Sequence, residues 1–488
     1  MKIFQRQLLT AGLLATGLSD FVYGAADRAS MFRIVVTTDL EQDDLASLIR
    51  YLLYTNELDT QGIIYTSSRY HWSGDGNGTK FFLSDREYRS PQWAWRWTGS
   101  RTVQDQVLRA YAEIWPNLNN HDPFFPTPDE LRALVKVGNI DFEGEMEQDT
   151  EGSDLIRSLI LNDDPRPLYL QAWGGTNTIA RALKSIEEEY SNSSQWSQTQ
   201  DSVSRKAVIL ASGFQDETYA DYISLRWPDV RVEQLEPGYR TWGYNCDKGQ
   251  GNTRGLSLGD NVYFTGDWMK AHIQTGPYGR LYRSWLDEQS MPGDAQDIFG
   301  SPATASSSSF CQPLEPYAFL SEGDNVVFNP FAQNSTSPNL WVMVPTEKNK
   351  AGVDIANYTT DCWAGAVQND FAARMQLTLT PSYEDANHPP SVSILNGTTV
   401  EAPAGTTITL AGNVTDPDSH SVTTSWWQFF EEGTYPGHVI VTEVENDRAD
   451  ITIPADAEAG QTISIILEGT DDGKFPLTRY GRVLIHVK

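Results

Sequence analysis

Ile34-Val35-Val36-Thr37-Thr38-Asp39-Leu40-Glu41-Gln42-Asp43-Asp44 is an apolar, β-branched run that reads as a fully buried strand and ends in three aspartates within six residues. Leu45, Leu48, Ile49, Leu52 and Leu53 follow at i, i+3, i+4, i+7 and i+8, the stripe of a helix packed on a sheet. The order is therefore strand, acidic loop, helix. Open α/β sheets bind their ligands outside the carboxyl ends of the strands, where Asp39, Asp43 and Asp44 fall. Carboxylates this close repel one another, and a hard cation with oxygen ligands relieves the repulsion. The plainer reading is that Asp43 and Asp44 cap the helix and suit its dipole, but a cap needs one carboxylate rather than three.

Working outward, Gly62-Ile63-Ile64-Tyr65-Thr66 predicts a second buried strand, ending in a polar loop from Ser67 to Asp75 that lies beside the acidic one. Leu168 to Trp173 predicts a third strand, and Gly174-Gly175-Thr176-Asn177 turns from it into a helix. Paired glycines there let backbone approach a bound group closely. Ala207 to Ala211 predicts a fourth strand, with a helical stretch running on to Trp227. Strands alternating with helical periods predict an open, mainly parallel sheet with flanking helices. Trp93, Trp95 and Trp97 share one face if their segment is extended, as a buried surface or as a platform for sugar rings. Gly238 to Ser309, with Trp242 and His272, reads as loops and irregular helices covering the site, and Gln368 to Met375 as the last helix of the domain.

Asn387-His388-Pro389-Pro390 breaks this pattern. From Ser391 onward short runs alternate apolar and polar residues, as in Thr407-Ile408-Thr409-Leu410-Ala411 and Thr462-Ile463-Ser464-Ile465, which predicts a small antiparallel sandwich of immunoglobulin-like kind. Asp416-Pro417-Asp418 and Asp471-Asp472-Gly473 read either as turn acids or as a second calcium site. Trp426, Trp427 and Tyr435 read as glycan contacts or as packing against the first domain. At the other end, Lys2 and Arg6, an apolar segment from Leu8 to Ala15, and small residues around Gly24-Ala25-Ala26 make residues 1–26 a secretory signal. The domains expected are 31–386 and 388–488.

The formal net charge of −29 repels phosphate backbones and anionic lipid, which argues against nucleic acid or membrane partners and suits a neutral glycan. No later segment is long and apolar enough to span a bilayer, so the expected product is secreted. Six Asn-x-Ser/Thr sequons, beginning at Asn77, suit a glycoprotein. Three cysteines, Cys246, Cys311 and Cys362, permit at most one disulfide, and the pairing is open.

Thr37-Thr38-Asp39-Leu40-Glu41-Gln42-Asp43-Asp44 resembles the calcium-binding fingerprint of nucleoside hydrolases, Asp-x-Asp-Pro-Gly-x-Asp-Asp, with Thr37 at the first Asp and Leu40-Glu41 in place of Pro-Gly. The wider context resembles a divergent branch of that superfamily, secreted cellulose-binding proteins with a nucleoside-hydrolase-like domain and a C-terminal immunoglobulin-like domain. Gly174-Gly175-Thr176-Asn177 is similar to the family's Gly-Pro-Leu-Thr-Asn turn, and Glu322-Gly323-Asp324 to its late His-Asp-Pro segment. The resemblance implies calcium held by Asp39, Asp44, Asp324 and a carbonyl at Asn177, with Asp39 as general base. It implies Asp43, Gln215, Asp216 and Glu322 as substrate-binding residues. The substrate implied is a riboside or a plant cell-wall glycan cleaved at a glycosidic bond. The alternative is a non-catalytic cellulose or plant-glycan binder on the same fold, which the altered Leu40-Glu41 loop favours. A purely structural adhesion protein would leave the acidic strand end unused.

Overall fold

A computed structural model describes residues 30–235, 262–263, 266–283, 322–325, 331–344, 346–355, 358, 362–445 and 447–488. The proposed signal segment, Trp242 and most of the Gly238–Ser309 stretch, together with Cys246 and Cys311, lie outside the described residues.

The opening run forms β1 (Arg33–Thr38), followed by α1 (Gln42–Leu52) and β2 (Asp59–Tyr65). Then come α2 (Leu108–His121), α3 (Pro128–Leu134), β3 (Val135–Val137), α4 (Glu151–Leu161), β4 (Leu168–Ala172), α5 (Asn177–Tyr190), α6 (Trp196–Lys206), β5 (Ala207–Ala211) and β6 (Arg231–Gln234). With β7 (Phe331–Gln333) and β8 (Leu340–Met343) the sheet runs β3-β2-β1-β4-β5-β6-β8-β7, parallel throughout except for β7 against β8. Along β1 the pleat sends Ile34 and Val36 into the core on one face and Val35 into the core on the other. A strand buried on both faces is apolar in a continuous run rather than in alternation, as Ile34, Val35 and Val36 are here, with the buried Arg33, Thr37 and Thr38 at its two ends.

The strand order reverses between β1 and β4. Their following loops leave in opposite directions and open a crevice at the carboxyl edge of the sheet, the switch point where ligands of such folds bind. The acidic loop follows β1 and the paired glycines follow β4.

A short ladder of β9 (Glu347–Lys348) and β10 (Asp354–Ile355) and a last helix, Ala364–Leu377, close this domain. The sandwich follows: β11 (Ser391–Ile394), β12 (Thr399–Ala402), β13 (Thr407–Thr415), β14 (Val422–Gln428), β15 (Ile440–Glu445), β16 (Arg448–Thr452), β17 (Thr462–Asp471) and β18 (Thr478–Val487). Its two sheets run β11-β13-β16-β15 and β12-β18-β17-β14. The described pairings are antiparallel except β12 on β18, which are parallel.

The sandwich docks on the α/β domain through Trp363, whose ring meets those of Trp427, Phe429 and Tyr480 at centroid distances of 5.7, 5.9 and 4.7 Å. Arg479 Nη1 donates to Asp370 on the last helix at 2.9 Å. Trp426, Trp427 and Tyr435 are all buried, so they pack rather than offer open platforms. The three alternating tryptophans also depart from expectation. Arg96 takes a left-handed φ of 47° and breaks the extended line. Trp95 is buried against Tyr88, Trp97 packs near Tyr65, and Trp93 is 63% exposed under Lys80.

Candidate functional site

Hydrogen bonds from Thr66 N to Thr38 O and from Trp173 N to Thr37 O, each 2.9 Å, carry the ladder to the last residues of β1. Asp39 is the next residue. It is fully buried, and neither carboxylate oxygen has a hydrogen-bond partner. A side chain at Gly174 would stand 3.1 Å from Asp39 Cβ and 3.2 Å from its backbone nitrogen, so glycine lets the turn after β4 lie directly on Asp39.

Leu40 holds a left-handed φ of 52°, which costs an L-residue on the order of 1–2 kcal/mol. Its side chain is buried in the core, which offsets the strain, and its N–H donates to Thr38 Oγ1 at 2.9 Å. Thr38 Oγ1 in turn donates to Asp44 Oδ2, while Asp44 Oδ1 is buried with no partner. Glu41 is the N-cap of α1 but its side chain makes no capping bond, while Asp43 Oδ1 accepts from Asp44 N in the first turn at 2.9 Å.

Glu41 turns instead to His71 in the loop after β2, with Oε2 at 2.7 Å from Nε2. His71 Nδ1 lies 2.8 Å from the Arg96 carbonyl and so carries a proton and donates it. Burial, then the charges of Asp43, Asp39 and Asp324, push the Glu41 carboxyl well above the usual carboxylate range, with Arg96 opposing. Asp44 is pushed up in the same way, by burial and then by Asp39, Asp324, Asp43 and Glu41. Glu41, Asp43 and Asp324 each offer an oxygen within 4.8 Å of the others.

Asp324 arrives from far along the chain, at a left-handed φ of 61°. Ser212 Oγ donates to its Oδ1 at 3.0 Å and Gln215 Nε2 to its Oδ2 at 2.9 Å. Both donors sit just past β5, the strand beside β4 in the sheet. Five carboxylates, from Asp39, Glu41, Asp43, Asp44 and Asp324, thus converge at the switch point.

Three expected residues are committed elsewhere. Glu322 is buried in an ion pair: Arg50 Nε lies 2.7 Å from its Oε1, Tyr282 OH donates to Oε2 at 2.5 Å, and Asn325 Nδ2 donates to Oε1 at 2.6 Å. Rather than face a substrate, it fastens the segment that carries Asp324 to α1, together with the bond from Ser47 Oγ to Gly323 O. Asp216 accepts from Asn177 N at 3.0 Å, Thr176 Oγ1 at 3.1 Å, and Thr218 N and Oγ1 at 2.9 and 2.6 Å. It caps α5 and the turn after β5, three of these donors meeting Oδ1 and Asn177 N meeting Oδ2, so its carboxylate is spent on holding the two turns together. Asn177 opens α5, and a carbonyl at the first helical position is directed along the axis toward residue i+4, away from the strand end. Its side chain clamps Thr66, Ser67, Asn139 and Glu145.

Gln215 does reach the cluster, as a positioning residue bound to Asp324 and, at 2.7 Å, to the Trp173 carbonyl. Sequence reasoning missed Glu41 and His71 as members. The signal was present, since Glu41 replaces the glycine of the fingerprint and the loop holding His71 was expected beside it.

Residues 33–340 match the family described as "Cellulose-binding Sde182, nucleoside hydrolase-like domain", and residues 407–487 match "Cellulose-binding protein Sde0182, C-terminal domain". No curated protein matches. Among solved structures the chain is similar to a nucleoside hydrolase-related hypothetical protein from Saccharophagus degradans, associated with carbohydrate metabolism. The TM-score is 0.66 at 24% identity, over 94% of this chain and 100% of that one. The effector protein XOO4466, at 9% identity over 72% of this chain and 94% of its own, scores 0.33, too distant to bear on function.

Proposed function

The chain belongs to the cellulose-binding, nucleoside-hydrolase-like family, and from that premise we propose that it is a secreted, calcium-dependent hydrolase of glycosidic bonds in ribosides or plant cell-wall glycans. One observation carries the reading. Both oxygens of Asp39 and Oδ1 of Asp44 are buried without a partner beside further carboxylates at the switch point. Unpaired buried carboxylates are costly, and a divalent cation with oxygen ligands removes that cost. The donor set is all oxygen, which fits calcium. Asp39, Asp44 and Asp324 would hold it, with Glu41 and Asp43 alongside and Ser212 and Gln215 orienting Asp324.

When bound, calcium would neutralise the cluster and acidify nearby water. Asp39 would take the proton of the attacking water on its carboxylate, acting as general base. Asp43 would accept a hydrogen bond from a sugar hydroxyl, and the remaining negative charge would stabilise an oxocarbenium-like transition state. Glu41 marks the departure from a true nucleoside hydrolase, adding a carboxyl whose orientation His71 fixes.

A second reading, a non-catalytic binder of cellulose or plant glycan, is favoured by the complete burial of Asp39 and Asp43. Release of free sugar from nucleosides, aryl ribosides and cell-wall oligosaccharides, with calcium and after chelation, separates the two. Chelator-sensitive turnover of any member supports the hydrolase. Silence across the panel, from folded protein still retained on cellulose, transfers the assignment to the binder.

A further inference from the structure

A second group of acids lies at the end of the sandwich that meets the linker between the domains. Ligand atoms of Asp416, Asp418 and His420 fall within 4.8 Å of one another. Asp416 has a side chain only 2% exposed. Its Oδ1 accepts from the backbone N–H of Asp418 and of His420, both at 2.9 Å, but its Oδ2 is buried with no partner. Asp471, 3% exposed, repeats the pattern. Its Oδ1 accepts from Gly473 N at 2.9 Å, Leu477 N at 3.1 Å and Asn387 Nδ2 at 3.1 Å, while Oδ2 has none.

Asn387, 8% exposed, spends its amide nitrogen on Asp471 and leaves its own Oδ1 buried and unpartnered. Gly473 makes this possible, because a side chain there would collide with that oxygen. Burial raises the Asp416 carboxyl, and the charges of Asp471 and Asp418 raise it further, so the acids sense one another.

Turn acids that only cap backbone N–H groups have no need for three orphaned oxygens. Each is costly when left unsatisfied in the interior. We propose that Asp416, Asp418, Asp471 and Asn387 form a second divalent-cation site, for a hard, oxygen-seeking ion of the calcium class, that ties the linker to the sandwich. Asn387 comes from the linker, Asp416 from the turn after β13 and Asp471 from the end of β17, so a bound ion joins three segments. Asp418 is also held by the linker, accepting from His388 N at 2.6 Å. The ring of His388 stacks on Tyr383 at 3.7 Å and contacts His121 of the α/β domain, its Nε2 lying 3.0 Å from His121 Nδ1. Cation binding would therefore stiffen the hinge between the domains as well as the sandwich.

The test is a calorimetric calcium titration of the full chain, wild type against Asp416→Asn/Asp471→Asn. The amide oxygens can keep the backbone bonds of each Oδ1 while the charge is removed. The expected result is one fewer calcium bound per chain in the double variant, with loss of the calcium-dependent rise in the sandwich's melting temperature. An unchanged stoichiometry overturns the site, and so does a wild type that takes zinc but not calcium there. Asn387→Ala, expected to weaken the same binding event at least tenfold, covers the case in which the double variant fails to fold. Asp39→Asn titrated in parallel reports on the strand-end cluster alone, so failure of one site is distinguishable from failure of the other.

Discussion

Glu322→Ala separates a structural carboxylate from a substrate ligand. The ion pair it breaks is buried on both sides, with side-chain exposures of 8% for Arg50 and 1% for Glu322. Burial alone would lower the Arg50 guanidinium, but the Glu322 charge overcomes it and holds the pKa above its ordinary value. Arg50 also reaches Gln368 Oε1 at 2.6 Å and lies 3.9 Å from the centre of the Phe371 ring, so it cannot swing out to water when its partner is removed. Removing one member of such a pair strands a buried charge and costs about 3–5 kcal/mol. That is a large share of the ~5–15 kcal/mol that holds a domain together. At a urea m-value near 3 kcal/mol/M, the unfolding midpoint of the α/β domain should fall by roughly 1–1.7 M. Arg50→Met/Glu322→Leu should recover much of the loss, since it removes both charges, giving a coupling energy of up to ~3 kcal/mol. A Glu322→Ala protein with a midpoint within experimental scatter of wild type but no glycan binding would refute the assignment and restore Glu322 to the substrate.

Asp39→Asn should lower turnover of any substrate found by at least ~10²-fold. In chelator it should melt no lower than wild type, because it removes one charge from a repelling cluster; a wild-type rate would sink the general-base role. Gly175→Ala should cost ~1–3 kcal/mol in urea unfolding, since its Cβ would sit 2.6 Å from the Ser67 carbonyl and strike the Asp216 carboxylate. Asp370 makes a pH prediction. Burial would raise its carboxyl, but Arg374 and then Arg479 hold it well below the usual range. A depressed carboxylate stabilises the fold above its unfolded pKa of about 3.9, and that contribution fades as pH falls toward the folded value. Asp370→Asn should therefore be less stable than wild type at pH 7, with the gap closing below about pH 4; parallel stability profiles would contradict it.

Much of the α/β domain was written in local pattern. The expected strand at Ala207–Ala211 is the observed β5, and Leu168 to Trp173 overruns β4 by one residue. Both succeed because central strands of a parallel sheet, covered by helices on both faces, are dominated by apolar residues, a local signal that survives the half-buried Gln171 of β4. Asp39, Asp43 and Asp44 were legible for a related reason. They sit at the boundary where an apolar run stops, and a strand's end lies at the same edge as its neighbours' in a parallel sheet.

Side-chain commitments were not legible. Asp216 and Glu322 have the residue types that bind hydroxyls, yet one is consumed by backbone N–H groups and the other by Arg50, 272 residues away in sequence. The tryptophan row failed because one left-handed residue, Arg96, changes which way each ring points. Sequence by itself determined the class of fold and the acids at the first strand's end, because burial and periodicity are properties of a segment. Only the tertiary structure decided that Glu41 joins the cluster through His71, that Asp324 closes it, and that Asn387 meets Asp471 at the linker. Those outcomes depend on which distant group arrives first at each lone pair, and that is fixed by packing alone.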